Sequence, residues 1–132
     1  MAETFDAEGK VLGRLASQVS RRLKEGEEVR IVNSEKAVVT GDREEVYEKY
    51  RERREKGSRE SGPRFPKAPE RIVKRTVRGM LSEGADGREA FKNLKTYRGN
   101  PEDLETSENG VKTVEDLERR NAVTVEEISN NI

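Results

Sequence analysis

Four cations stand at helical spacing in the run "PERIVKRTVRGMLSEG", residues 69–84: Arg71, Lys74, Arg75 and Arg78. At about 100° per residue they fall within an arc about 100° wide. Val73, Val77, Met80 and Leu81 fall on a neighbouring arc, which marks the side expected to pack. Glu70, four residues before Lys74, is the one acid between Pro69 and Leu81, so Arg71, Arg75 and Arg78 lack the i,i+4 carboxylates that would neutralise them. Guanidinium and ammonium groups on one face of a packed helix suit the oxygens of a phosphate backbone. Arg59, Arg64 and Lys67 in the Pro-rich segment "SRESGPRFPKAP" extend the same charge.

The rest of the chain sharpens this contrast. The formal net charge is zero, but residues 1–42 carry −1, residues 43–78 carry +6 and residues 79–132 carry −5. A polyanion would therefore meet the middle third and be repelled by the last. Arginine outnumbers lysine 17 to 10, which favours bidentate phosphate recognition over mere solubility. Other chemistry is poorly supplied. With no cysteine and no histidine, the chain lacks thiolates, the commonest general base and the commonest metal ligands. "EGKVLGRLAS" has Gly9 and Gly13 but neither phosphate-loop pattern, and Gly13 reads as a helical glycine kept for close packing. The paired acids, such as Glu44/Glu45 and Glu126/Glu127, sit in polar settings that read as solvated surface. These absences argue against an enzyme, a cofactor or a metal site.

The elements that must position the ridge can be read from periodicity. Only 30% of the 132 residues are hydrophobic and 41% are charged, so the core is expected to be small, with a fold that is marginal alone or gains stability by binding a partner. "ETFDAEG" reads as a strand and "KVLGRLASQVSRRLKEG" as a helix with Leu12, Leu15, Val19 and Leu23 inward. "EEVRIVN" and "AVVTG" are β-branched strands, and the strand–helix–strand order implies a parallel pair with a right-handed crossover. "GDREEVYEKYRERREKG" is a helix of mixed charge with a narrow Val46/Tyr50 stripe and an expected Asp42/Glu45 capping box. "REAFKNL" follows as a short helix and "KTYRG" as a short strand. Thr124 and Glu127 form a second capping-box pair near the end. The chain reads as a single domain over 1–132, with a basic loop–helix at 58–81 and an acidic segment at 100–132. No run of apolar residues is long enough to span a membrane, and the N-terminus does not read as a secretory signal.

Together these pieces stand in a familiar order: "LGRLAS" at 12–17, "VRIVNSEKAVVTG" at 29–41, "KYRERR" at 49–54, "GPRFPKAPERIVKRTVRGML" at 62–81, "GREAFKNLKTYRGNP" at 87–101 and "VTVEEIS" near the end. In this order the chain resembles the large-subunit ribosomal protein family thirteen, in its archaeal form. The resemblance implies a three-layer α/β/α fold around a four-stranded, mainly parallel sheet. It implies a cytoplasmic, non-catalytic constituent of the large ribosomal subunit. The implied partners are large-subunit rRNA and neighbouring ribosomal proteins, with no membrane, no small-molecule substrate and no cofactor. Carried over by residue, it makes Lys67, Arg71, Lys74, Arg75 and Arg78 phosphate contacts. Arg14, Lys49, Tyr50, Arg54, Arg88 and Tyr97 become secondary ones. The chain departs from the family after "RGML", where Pro and a basic cluster are replaced by "SEGADGREA" with Ser82, Glu83 and Asp86.

Two other readings make different demands. A nucleotide-binding α/β enzyme or sensor domain needs phosphate-cradling glycines after a strand. A nucleic-acid-binding module unrelated to the ribosome needs a groove-reading element or an aromatic platform, and three Tyr and three Phe scattered along the chain offer no obvious one. Neutrality in an rRNA binder also suggests a source with high intracellular salt, although 22 Glu against 5 Asp weighs against that.

Overall fold

The computed structural model describes residues 2–56, 66–107, 110–113 and 121–132. Strand β1 (Ala2–Asp6) leads into helix α1 (Leu12–Lys24) and back to strand β2 (Glu28–Val32), which pairs parallel to β1. Leu12, Leu15, Ala16, Val19 and Leu23 are all buried, as their three- and four-residue steps require. The helix ends in a Schellman turn. Gly26 takes φ +89°, its N–H donates to the Leu23 carbonyl, and the Glu27 N–H reaches back to Arg22.

Next come a 3-10 turn (Ser34–Lys36), strand β3 (Val38–Thr40) and helix α2 (Arg43–Lys56). Helices α3 (Pro69–Arg78) and α4 (Ala85–Phe91) precede strand β4 (Leu94–Thr96). Strand β5 (Ala122–Thr124) and helix α5 (Val125–Asn130) close the chain. The Thr124/Glu127 capping box forms in both directions at the start of α5. The one expected at Asp42 and Glu45 makes no side-chain hydrogen bond among the described residues.

The architecture is α/β with a parallel sheet, but that sheet has three described strands rather than four, in the order β1–β2–β4. The cause lies after β2. Asn33 adopts a left-handed conformation (φ 57°), tied by its side-chain amide to Asp6 Oδ1 at 3.0 Å, and the 3-10 turn follows. The chain is thereby redirected, and β3 pairs antiparallel with β5 instead. It keeps one parallel bridge, Val11 to Val38, to the segment leaving β1.

Phe5, Val29, Ile31 and Leu94 come from the parallel strands into one core with Leu15, Leu23, Ile72, Val73 and Val77 from α1 and α3. The apolar side of α3 is thus centred on Ile72, Val73 and Val77, and Leu81 is buried just beyond its end. Met80, expected inside, is 38% exposed because the helix stops at Arg78 and the chain turns. Gly13 also departs from expectation. An added methyl there would meet nothing, so close packing within this chain does not explain it.

Candidate nucleic-acid interface

Helix α3 starts with Pro69 in its first turn, where a missing N–H costs nothing. Its inner side is locked by Ile72, Val73 and Val77, so its outer side is fixed as well. That outer side carries Arg71, Lys74, Arg75 and Arg78. The helix's only acid is turned to another partner: Glu70 Oε1 lies 3.6 Å from Arg98 Nη2. Among the described residues, no carboxylate pairs with Arg71, Lys74 or Arg78.

Two of these cations are held in place. Lys74 Nζ sits 5.3 Å from the centroid of the Phe91 ring, and the Arg78 guanidinium carbon 5.7 Å from it. Arg78 Nη1 also donates to the Ser82 carbonyl at 3.2 Å. Phe91 reaches this place because the start of α4 packs closely on the link 79–84 that follows α3. A methyl on Gly87 would run into the Ser82 carbonyl, so only glycine allows α4 to approach this closely. The result is an open groove of about 780 Å³ whose walls include Pro66, Arg71, Lys74, Arg75, Arg78 and Phe91. A smaller cleft of about 480 Å³, between the end of α1 and α4, mixes Lys24 with Asp86 and Glu89 and shows no such convergence of one charge.

A family model described as ribosomal protein L13 matches residues 2–103. The chain belongs to the ribosomal protein L13 family. Its relatives include the large ribosomal subunit protein uL13 of Methanosarcina barkeri, 54% identical over 106 residues, covering 79% of this chain and 76% of that one. The protein of the same name from Archaeoglobus fulgidus is 50% identical over 105 residues, covering 79% of this chain and 67% of that one. The one from Natronomonas pharaonis is 46% identical over 130 residues, covering 97% of this chain and 88% of that one.

In this L13-family chain the expected contact residues are dispersed. Arg71, Lys74, Arg75 and Arg78 share the groove. Lys67 is exposed one residue beyond Pro66, which lines it. Arg59 and Arg64 lie outside the described residues. Arg14 is exposed on the side of α1 opposite its buried stripe, Lys49 is exposed on α2, and Arg88 is exposed on α4. Arg54 is half-buried and has a partner of its own. Tyr97 donates its hydroxyl to Glu102 Oε1 at 3.2 Å.

Tyr50 is the clearest departure. It is 4% exposed and belongs to the core, so its ring is not offered to a ligand. Burial pushes its phenol above the usual tyrosine range, with nearby Arg53 acting in the opposite direction. Sequence reasoning also missed Phe91. Nothing in "REAFKNL" marks it, because its place beside Lys74 and Arg78 depends on Gly87 packing closely on Ser82. No helix among the described residues is long and apolar enough to cross a membrane.

Proposed function

We propose that this L13-family chain is a structural, non-enzymatic constituent of the large ribosomal subunit that binds and stabilises rRNA through the outer side of α3. Its place is the ribosome in the cytoplasm, against rRNA and neighbouring large-subunit proteins. The observation that carries the reading is a row of cations, Arg71, Lys74 and Arg78, with no paired carboxylate among the described residues, on a helix whose other side is buried and whose only acid is held by Arg98. Such a row makes phosphate contacts that fix position rather than read sequence. Arg75 belongs to the same ridge. Lys67 extends it, Arg59 and Arg64 are further candidate contacts by their charge, and Arg14, Lys49, Arg54 and Arg88 serve as secondary contacts.

The domain reads as a single unit over 1–132, its basic loop–helix 58–81 toward RNA and its acidic segment 100–132 away from it. The finer arrangement, three α/β/α layers with β3 as a fourth strand, draws support from the Val11–Val38 parallel bridge.

The test is binding to large-subunit rRNA and to a shuffled RNA of equal length across a salt series. The native protein should prefer its rRNA. Changing Arg71, Lys74, Arg75 and Arg78 together to Ala should flatten the log–log salt slope by about 3, at roughly 0.7–0.9 for each phosphate that is no longer neutralised. An unchanged slope would leave the ridge a solvated surface.

A further inference from the structure

Phe91 and Glu83 line the same groove as the four cations, and a phosphate backbone has no use for either. A duplex offers phosphates on a convex surface and would touch only the crest of α3. The groove is instead concave, and its volume of about 780 Å³ falls in the range of small-molecule sites. Its apolar part comes from buried Leu81 and half-buried Phe91. An aromatic ring with a guanidinium group against it is a surface on which a nucleobase stacks.

Glu83 adds direction. Its carboxylate repels phosphate, so a strand entering the groove places its phosphate at the Arg71/Arg75 end. What a carboxylate accepts is an N–H donor from a base edge. Guanine presents two adjacent N–H donor groups on its pairing edge; each of the other bases presents a single donor group there, beside one or two acceptors.

We infer that the groove between α3 and α4 seats one unpaired nucleotide of rRNA. Its base lies against Phe91 and Arg78, its phosphate lies toward Arg71, and its donor-bearing edge faces Glu83, which makes guanine the preferred base. The Gly87 turn holds the groove in shape before RNA arrives, which lowers the ordering cost of binding. This inference rests on α3 being the RNA-binding side.

The test uses the full chain with three RNAs of equal length: a hairpin with a guanine in its single-stranded loop, the same hairpin with uracil there, and a fully paired duplex. The guanine loop should bind about tenfold more tightly than the duplex. Phe91→Leu keeps an apolar side chain and Arg78→Lys keeps the charge. Once circular dichroism shows both variants folded, each should cut the loop-over-duplex preference severalfold. Glu83→Gln should abolish the preference for guanine over uracil. Equal affinity for loop and duplex, or a loop preference intact in both variants, would overturn the nucleotide seat. A guanine preference that survives Glu83→Gln would overturn the role given to that residue. Failure of the ridge itself has another signature: the fourfold Ala variant would bind loop and duplex as well as the native chain does.

Discussion

Helices α2 and α3 are both rich in cations, yet they use them in opposite ways. On α2 the charges are engaged within the molecule. Arg43 Nη2 lies 3.5 Å from Glu127 Oε2, Arg51 Nε donates to the Asn131 carbonyl at 2.8 Å, and Arg53 stacks 4.9 Å from the Tyr50 centroid. Glutamates alternate with arginines along its exposed side. On α3 the single acid is drawn off by Arg98, and Arg71, Lys74 and Arg78 keep their charge without a carboxylate among the described residues. A count of Lys and Arg would rank the two helices together. What separates them is where the carboxylates sit.

The largest expected effect breaks this comparison directly. Arg71, Lys74 and Arg78 changed together to Ala should weaken rRNA binding at fixed moderate salt by roughly 10²–10³-fold. The matched α2 variant, with Arg43, Arg51 and Arg53 changed to Ala, should weaken it less than about threefold. Equal losses, read by filter binding or anisotropy, would erase the distinction.

The second effect concerns the groove. Gly87→Ala forces a methyl against the Ser82 carbonyl and should destabilise the fold by about 3 kcal/mol in thermal or urea unfolding. An equally stable variant would show that the turn relaxes freely and does not hold Phe91 against α3. Smaller again is Thr124→Ala, which removes one side of the α5 capping box and should cost about 1 kcal/mol without altering RNA affinity. Because α5 packs beside α2, a change in RNA affinity would give the α2 side more than its secondary part in binding.

The smallest effect sharpens the placement of Tyr50. Its folded pKa is raised by burial above the ordinary tyrosine value of about 10. Its contribution is therefore fully present below the unfolded pKa and is lost as pH rises from about 10 through the folded value, because the unfolded chain ionises first. Tyr50→Phe should flatten part of the alkaline loss of stability and leave the rRNA salt slope unchanged. A slope that falls in Tyr50→Phe would return Tyr50 to the RNA-binding side.

The ridge is visible in the sequence because helical periodicity and the missing acids are both local facts. The apolar stripe of α1 is visible for the same reason. Other features depend on contacts between distant segments. Splitting β3 from the parallel sheet turns on a left-handed Asn33 tied to Asp6, 27 residues earlier. Phe91 joins the ridge only because Gly87 lets α4 close on Ser82. Met80 follows the helical period in sequence, but the helix ends at Arg78 and the period ends with it. Tyr50 shares a stripe with Val46, which points to burial. The family resemblance points it toward RNA, and the fold keeps it inside with Tyr47.

The most direct measurement is the log–log salt dependence of binding to large-subunit rRNA for three proteins side by side: the native chain, the α3 triple Ala variant and the α2 triple Ala variant. The expected slope is shallower by about 2–3 for the α3 variant and unchanged for the α2 variant. Equal slopes for all three, or a change confined to α2, would contradict the claim that α3 is the phosphate-binding side.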